Sequence, residues 1–283
     1  MLKRLAIFIP LSFGGIQAAS AGDIASGVPR DPASEATDRP ASALQITPYM
    51  WATGLNGSIS PFREGPTLDV DKSFSDVLHD LDFGGFVNVW GRYDRFVFSG
   101  DLMYVDTSDS HASGPLPAFQ IPGLGVTIPP GASVTGKVDS KQFMTTLQGG
   151  YRVIDGPDFT LDALAGARFW YISNDVTVTA SHFAIGTRTA SHGESFGWID
   201  PVVGLRAFAP MTENFSVQAQ ADVGGFGVGS SVTWSVLATA NYAFTQNFSV
   251  SAGYKALKVD YDHGGHVYDA LLKGPVVGMT WRF

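Results

Sequence analysis

Charged side chains recur at alternate positions along much of this chain, where they could form ion pairs or line a passage for a solute. Most of them have apolar or small neighbours on both sides, as Arg206 has in Leu205 and Ala207. Successive side chains of a β-strand point to opposite faces, so this spacing gathers the charges on one face. Seven cations and four carboxylates share the pattern: Arg92, Arg95, Asp101, Arg152, Asp162, Arg168, Asp200, Arg206, Asp222, Lys255 and Arg282.

Residues 193–197 read Gly-Glu-Ser-Phe-Gly and match the G-x-S-x-G motif of serine hydrolases. In that motif the serine lies on a sharp turn between a strand and a helix. Here residues 196–209 alternate as a strand, and no helical period follows. We therefore predict that Ser195 is not a nucleophile and that the protein is not an enzyme. A lipid hydrolase stays a minor alternative, with four candidate partners for the serine: His182, His192, His263 and His266.

Two further stretches match ligand-binding motifs only in part. Residues 224–229 are rich in glycine, but neither the Lys-Ser/Thr pair nor the helix of a phosphate loop follows them. His263 and His266 flank two glycines without a third ligand nearby, which favours a turn over a metal site. The chain contains no cysteine and therefore no thiolate ligand. We predict neither a cofactor nor a metal.

Ten segments carry the period-two alternation of a β-strand. They are residues 44–58, 83–93, 95–107, 141–154, 159–179, 192–209, 215–226, 232–244, 248–261 and 268–283. Short turns follow the second, fourth, sixth and eighth segments, whereas long links, residues 59–82 and 108–140, follow the first and third. Short periplasmic turns and longer outer loops are typical of bacterial membrane β-barrels. A strand-like stretch at residues 67–72 leaves eight or twelve strands open as alternatives.

The composition indicates that the apolar face of these strands contacts lipid. Hydrophobic residues make up 45% of the chain and charged residues 16%, against about 25% charged in soluble domains. No run of 18 apolar residues could form a transmembrane helix. The formal charge of −8 and the scattered cations argue against a nucleic-acid partner. The predicted fold is all-β: a transmembrane, antiparallel, up-and-down β-barrel of about ten strands.

Aromatic residues cluster near both ends of the predicted strands, as expected for belts at the two bilayer interfaces. The group beside the short turns comprises Tyr93, Phe96, Tyr151, Phe159, Phe208, Phe215, Tyr242, Phe244, Phe248, Trp281 and Phe283. The group nearer the opposite ends comprises Tyr104, Trp170, Tyr171, Trp198, Trp234 and Tyr254. With the apolar face toward lipid, the eleven charged residues are predicted to line the lumen.

The N-terminus is predicted to be a secretory signal peptide at residues 1–21. Two cations precede a short apolar stretch, and an A-x-A cleavage site ends at Ala21. Its removal takes the formal charge from −8 to −10, because the segment contains two cations and no acid. Residues 22–43 are rich in Ala, Ser, Asp and Pro, which predicts a disordered periplasmic segment before a barrel at residues 44–283.

The first long link contains a helical period. Ser73 and Asp76 have the spacing of a capping box. Four apolar residues recur at helical spacing: Phe74, Val77, Leu78 and Leu81. The predicted short helix could fold into the barrel mouth as a plug or lid, or it could stabilise the outer loop as a surface helix. The sequence leaves the two roles equally open.

The chain ends on an aromatic residue after an alternating strand. Val277, Met279 and Trp281 share one face, and Phe283 is the last residue. A terminal aromatic on such a strand resembles the C-terminal signature of bacterial outer-membrane β-barrel proteins. The resemblance implies that Trp281 and Phe283 form the signal that the barrel-assembly machinery reads.

Several stretches together resemble a widespread group of proteobacterial outer-membrane β-barrel proteins, described as porin-like or without a known role. The stretches are residues 74–76, 81–84, 200–206, 222–230, 259–262, 274–275 and 281–283. The similarity extends from about Thr47 to Phe283. It implies the cell outer membrane of a Gram-negative bacterium as the location and carries over no activity.

Two functions of different classes follow as hypotheses. The first is a porin-like protein with a narrow, partly plugged pore, because about eight strands are filled by their own side chains and ten leave little more room. The second is a structural or adhesive barrel that presents its outer loops. Outer-membrane lipid is the expected partner in both, and the sequence specifies no solute.

Overall fold

The structure, a computed structural model, describes residues 42–60, 63, 67–116, 119–121, 126–128, 132–182 and 186–283. The predicted signal peptide and nearly all of the predicted periplasmic segment lie outside these residues. The described part of the chain contains no helix that is long and apolar enough to cross a membrane.

Strands form almost all of the described structure. In chain order they are β1 (Ser42–Trp51), β2 (Gly54–Ser60), β3 (Leu68–Lys72), β4 (Leu81–Tyr93), β5 (Phe96–Leu116), β6 (Phe119–Ile121), β7 (Val126–Ile128), β8 (Ala132–Asp155), β9 (Thr160–His182), β10 (Gly186–Pro210), β11 (Phe215–Gly225), β12 (Val232–Ala243), β13 (Phe248–His263) and β14 (His266–Arg282). One short helix, α1 (Phe74–Asp80), lies between β3 and β4. The predicted strands are therefore present, and their turn-side ends lie within a few residues of the predicted positions, whereas β5, β8 and β10 extend further at the opposite end.

The strands form a closed antiparallel barrel. Each long strand pairs with its neighbours in the chain, and β1 pairs with β14 to close the ring. The strands β1 and β2 lie end to end along β14, so together they occupy one position in the wall, and β3 pairs with β2 alone. The ring has ten strands with two extra strands, which confirms the predicted architecture and count. The stretch at residues 67–72 is β3 and does not add a strand to the ring.

Four short connections lie at one end of the barrel, together with the start of β1 and the terminal Phe283; this end is called the turn side. These connections follow β4, β8, β10 and β12, as predicted. On the opposite, outer side the tightest connection is Gly264-Gly265, whose positive φ angles of 64° and 85° suit a two-residue hairpin turn. The sequence His263-Gly-Gly-His266 is thus a turn, with the two histidines paired across it.

The barrel wall rises unevenly on the outer side. The strands β5, β8, β9 and β10 have 21, 24, 23 and 25 residues, whereas β11 and β12 have 11 and 12. The predicted long link at residues 108–140 is therefore wrong in large part, because β5 continues to Leu116 and β8 begins at Ala132. The sequences of these extensions, residues 108–116 and 132–140, are rich in Ser, Gly, Thr and Asp and lack the regular apolar alternation that could reveal a strand.

The outside of the barrel wall carries an apolar band. A circle of aromatic residues bounds the band at each end, and we call these two circles the turn-side ring and the outer ring. The turn-side ring includes Tyr93, Phe96, Tyr151, Tyr242, Phe248 and Trp281, and the outer ring includes Phe83, Tyr104, Phe143, Tyr171, Trp234 and Tyr254. In β9 the band covers residues 161–171, which matches the roughly 9–11 residues that a tilted strand needs to cross a bilayer. Beyond the outer ring the outward residues become charged, as with Lys258, Asp269 and Lys273.

Candidate functional site

A polar cavity of about 80 Å³ lies inside the barrel, within the apolar band. Ten strands supply inward-facing side chains, because alternate residues of each strand point into the lumen. Most of the lining is neutral and polar, with Gln, Asn, Ser and Thr side chains. Its charged residues are Asp101, Arg168, Arg206, Asp222, Lys255 and Arg282. We call this space, with its lining, the lower cavity.

Arg168 is the most connected cation of the lower cavity and is only 2% exposed. Its guanidinium donates to Asp222 Oδ1 at 2.7 Å, to Thr146 Oγ1 at 2.9 Å and to Thr233 Oγ1 at 2.8 Å. The four residues come from β8, β9, β11 and β12, so the cluster ties much of the wall together. Removing a charge from water is costly unless it is paired and hydrogen-bonded, and this cluster meets both conditions.

Lys255 forms the second ion pair. Its Nζ donates to Asp101 Oδ2 at 2.5 Å and to the Tyr49 hydroxyl at 2.7 Å, and the hydroxyl in turn donates to Asp101 Oδ1 at 2.9 Å. The ammonium also lies 5.0 Å from the Trp51 ring centroid, within cation–π range. Both oxygens of Asp101 are therefore occupied by groups of the protein itself.

Near the turn side two arginines share one carboxylate. Arg152 donates to Asp162 through Nε at 2.7 Å, while Arg206 Nη1 is 3.6 Å from the same carboxyl group. The Arg206 guanidinium lies 4.5 Å from the centroid of the Trp90 ring and donates to Gln218 Oε1 at 2.8 Å. Asp162 is 1% exposed. Arg206 thus shares the Asp162 carboxylate with Arg152 and forms the longer of the two ion pairs.

Above the lower cavity the lumen is filled by apolar and aromatic side chains, which we call the outer core. Its buried members are Trp51, Phe86, Met103, Met144, Trp170, Ile172, Trp198, Leu257, Val259, Tyr261, Tyr268, Ala270, Leu272 and Val276. Leu257, Val259 and Ala270 are fully buried. The side chains that pack the lumen come from the wall itself, so the filling does not depend on an inserted loop.

In the outer core, aromatic stacking links β10 and β13, two strands that are not hydrogen-bonded to each other. The pairing of β10 with β11 ends at Val202, and the pairing of β12 with β13 ends at Asp260. Above these points Trp198 of β10 stacks on Tyr261 of β13, with ring centroids 4.1 Å apart and planes 15° apart. Trp170 and Trp198 were predicted to lie in the outer aromatic belt; they point inward instead, and Phe208 shares this inward phase in the turn-side half.

Asp200 lies beside the outer core and is fully buried. It accepts hydrogen bonds from Trp198 Nε1 at 2.9 Å, from Ser230 N at 2.6 Å and from Ser230 Oγ at 2.8 Å. The contacts hold the short β11–β12 connection, residues 226–231, against the wall, and the glycine-rich residues 224–229 form the end of β11 and most of this connection. Asp200 therefore fixes a loop and does not line the lower cavity.

The remaining predicted lumen residues divide between the wall and the turns. Arg282 lines the lower cavity, where its Nη2 donates to Ser249 Oγ at 3.0 Å. Arg92 has the inward phase on β4, and its Nη1 donates to the carbonyl of Asp94 at 2.8 Å. Arg95 is an exposed residue of the β4–β5 turn, so its prediction as a lumen residue is wrong. The turn reverses the chain before the alternation of β5 begins at Phe96.

The predicted helix is present as α1, with both bonds of the Ser73–Asp76 capping box. None of its residues is buried: Phe74 and Leu78 are exposed, and Val77 and Leu81 are partly exposed. A hydrogen bond from Lys72 Nζ to Asp80 at 2.6 Å lowers the pKa of that carboxyl group. Lys72 Nζ also donates to Asp109 Oδ2 of β5 at 2.9 Å. These polar contacts hold α1 to the outer part of the wall.

The C-terminal residues complete the closure of the barrel. The amide of Phe283 donates to the Leu44 carbonyl at 3.0 Å, and the Trp281 ring packs on Phe248 with centroids 5.3 Å apart. Trp281 and Phe283 are 41% and 73% exposed on the outer surface of the turn side. Both are thus available to lipid or to a protein partner.

Ser195 lies in the middle of β10, without the strand–turn–helix geometry of a nucleophile elbow. It points outward, whereas His266 is buried inside and lies 3.3 Å from Glu194 Oε1. His192 and His263 are exposed, and the side chain of His182 lies outside the described residues. The described residues also hold no group of three or more His, Asp or Glu side chains that could bind a metal.

Sequence reasoning missed the outer core and two neutral partners of the charges. Tyr49 and Thr146 carry the alternating phase but no charge, so only the register of neighbouring strands could have placed them with Asp101 and Arg168. The alternation does predict an inward position for Gln148, but it does not reveal the unpartnered amide. Gln148 is 2% exposed, and its Nε2 has no hydrogen-bond partner in the described structure.

No family model matches the chain, and no curated protein sequence matches it either. The fold is similar to those of solved outer-membrane barrels. The outer membrane protease OmpT from Escherichia coli has 12% identity and a TM-score of 0.50, over 86% of this chain and 97% of OmpT. Ail, the attachment invasion locus protein of Yersinia pestis, has 13% identity and a TM-score of 0.32, over 87% and 100% of the two chains. At 12% identity the similarity to OmpT shows the fold alone.

Proposed function

We propose that this protein is an integral outer-membrane β-barrel whose turn side faces the periplasm. The observation that supports this is the closed ring with an apolar outer band between two aromatic rings. A soluble barrel would not keep residues such as Val277 and Leu205 60% and 52% exposed within one continuous band. The predicted signal peptide and the exposed Trp281 and Phe283 suit export and recognition by the barrel-assembly machinery.

Heat-modifiable migration tests this location. Unheated protein should migrate faster than boiled protein in a detergent gel, and it should sediment with outer membranes. Recovery in the soluble periplasm without such a mobility shift would refute the proposal.

We further propose that the barrel is sealed and presents its tall outer sheet to the exterior. The observation that carries this is the outer core, in which Leu257, Val259 and Ala270 have no exposed surface. Among the described residues, such close packing argues against a water-filled path above the lower cavity. The strands β5, β8, β9 and β10 extend beyond the apolar band and would form the presented surface.

Planar-bilayer conductance tests the seal. The purified protein should give no stable single-channel steps, and deletion of residues 73–81 should leave it silent, because α1 buries no side chain. Steps that appear only in the deletion would establish α1 as the plug.

A porin-like pore is the second candidate function, and the polar lower cavity favours it. A solute path would require the outer core to move. A variant that opens the stack, Trp198→Ala with Tyr261→Ala, should conduct if the lower cavity forms one half of a pore. If this variant folds, as the gel shift reports, and stays silent, the pore is excluded and the sealed barrel stands.

A further inference from the structure

We propose that the lower cavity binds a small oxyanion, a phosphate or a carboxylate, that enters from the turn side. The site goes beyond the proposed function and depends on it only for the side of the membrane on which the anion would be found. Three independent observations carry the inference: the charge balance of the lining, an unpartnered buried donor, and the volume of the cavity.

The charge balance of the lining is positive, although the whole chain has a formal charge of −8. Four cations and two carboxylates line the lower cavity. Both oxygens of Asp101 accept bonds from Tyr49 and Lys255, and Asp222 accepts from Arg168 at 2.7 Å. The two carboxylates are therefore paired with Lys255 and Arg168. The other two cations of the lining remain available to bind a ligand.

The two remaining cations are Arg206 and Arg282. Arg206 is 3.6 Å from Asp162, a carboxylate that Arg152 already holds at 2.7 Å. Arg282 has no ion pair within the described residues, and its recorded side-chain bond goes to the neutral hydroxyl of Ser249. A guanidinium is a planar, permanently charged donor whose geometry suits carboxylate and phosphate oxygens. Surplus arginines in a low-dielectric lumen thus favour an oxyanion.

Gln148 supplies the unpartnered donor. Its side chain lines the lower cavity, is 2% exposed, and has an Nε2 atom with no partner in the described structure. Leaving such a buried donor without a partner costs about 1–3 kcal/mol. An anion oxygen in the cavity would satisfy it, and no apolar ligand could.

The size and the entrance of the cavity limit the ligand. A volume of about 80 Å³ corresponds to about five water positions, which matches phosphate or acetate in number of heavy atoms. The outer core blocks the outer side. On the turn side the lining includes the partly exposed Arg282, the last residue of β14, and Gln45, the residue that pairs with it.

Isothermal titration of the purified barrel in a nonionic detergent, at constant ionic strength, tests the site. Sodium phosphate and sodium acetate are titrated separately, and the gel shift of each sample shows whether the barrel is folded. At least one anion should bind saturably with a 1:1 stoichiometry and a Kd of about 1 mM or lower. Binding of acetate alone would identify a carboxylate site, and binding of phosphate alone a phosphate site.

Variants assign the binding to the cavity. Arg282→Gln should weaken binding at least about tenfold, because a charge-assisted hydrogen bond is lost. Gln148→Leu should weaken it about fivefold. Arg95→Gln, which removes the same charge from an exposed turn, should change the affinity less than twofold. The Arg282 side chain is partly exposed, so its replacement is expected to leave the fold intact.

Two results would overturn the inference. One is a folded wild-type barrel that binds neither anion up to about 10 mM. The other is an equal loss of affinity in Arg95→Gln and Arg282→Gln, which would reduce the effect to general electrostatics. Neither result would affect the membrane location or the seal, since those rest on the gel shift and the conductance.

Discussion

Within the apolar band the wall of the barrel is apolar outside and polar inside, whereas beyond the outer aromatic ring it is charged outside and apolar inside. A single strand shows both arrangements. In β14, Val277 and Met279 point outward and Thr280 points inward on the turn side. Toward the outer side Tyr268 and Leu272 point inward, while Asp269 points outward. The phase of the strand is unchanged; only the polarity of its two faces is exchanged.

The exchange follows from what surrounds the wall at each level. Lipid removes the need for an apolar interior, so the lower cavity can be lined with ion pairs and amides. Above the band the outer surface meets water, and the barrel must bury apolar side chains in its interior to remain folded. The ten-stranded ring therefore behaves as a membrane protein on its turn side, and the strands that continue beyond the band enclose an apolar core as a small soluble barrel does.

The ion pairs of the lower cavity should be the most sensitive part of the molecule. Arg168→Met should lower the free energy of unfolding by about 3–5 kcal/mol, because it leaves the buried Asp222 carboxylate without its partner. Lys258→Met, which breaks an ion pair with Asp269 on the outer surface, should cost at most about 1 kcal/mol. Urea titration in lipid vesicles measures both.

A second substitution distinguishes a lost partner from lost packing. Arg168→Met combined with Asp222→Leu removes both charges and should regain most of the stability. Equal costs for Arg168→Met and Lys258→Met would mean that the lower lumen is as wet as the surface, and the contrast between the two halves would fail.

One change on the outer surface locates the boundary between the two halves. Val277→Lys places a charge on the apolar band and should cost about 2–4 kcal/mol. Leu271→Lys, on the same face of β14 but between Asp269 and Lys273, should cost no more than about 1 kcal/mol. A comparable cost at both positions would place the membrane boundary beyond Leu271.

The outer core can be tested with a matched pair of valines. Val259→Ala removes two methyl groups from a fully buried side chain and should cost about 2–3 kcal/mol, from lost burial and the cavity that remains. Val138→Ala makes the same change at a site that is 40% exposed, with an expected cost of about 0.5 kcal/mol. Indistinguishable costs would show that the outer core is loosely packed, and the seal would lose its support.

The turns and the alternation made much of this fold predictable. Residues 155–158 and 245–247 carry turn chemistry between two alternating runs, so the ends of the flanking strands were placed within a few residues. The inward phase of Arg168, Asp222 and Lys255 followed because, within the band, apolar residues must face lipid.

The rule that apolar residues face outward fails beyond the band, where water replaces lipid around the barrel. Trp170 and Trp198 were assigned to an aromatic belt because a single sequence does not show the height at which lipid gives way to water. The sequence predicts a loop at the extensions of β5 and β8 because residues 108–116 and 132–140 contain few apolar residues. The alternation does not predict Tyr49 and Thr146 as partners of the charges, because contacts across the lumen depend on the stagger of ten strands.

The smallest predicted effect concerns the outer loop. The Asp80 carboxyl group, whose pKa is lowered by its hydrogen bond from Lys72, favours the folded loop above the pKa of about 4 of an unfolded chain. That contribution should be lost as the pH falls further, through the lower folded-state pKa. The protection factors of the α1 amides, which correct the exchange rates for the intrinsic effect of pH, should therefore fall on acidification. Asp80→Asn should reduce this dependence, and the remainder should come from Asp76, whose pKa is lowered by its hydrogen bonds from Ser73.

Single-cysteine labelling tests the contrast between the two halves most directly, because the chain has no native cysteine. Asn241→Cys reports the lower cavity and Asp262→Cys reports the outer surface, in vesicles that carry the barrel in one known orientation. A membrane-impermeant maleimide added to the outer side should label Asp262→Cys and leave Asn241→Cys unmodified, whereas the same reagent on the turn side should label Asn241→Cys. Labelling of Asn241→Cys from the outer side, at a rate comparable to that of Asp262→Cys, would contradict the sealed barrel.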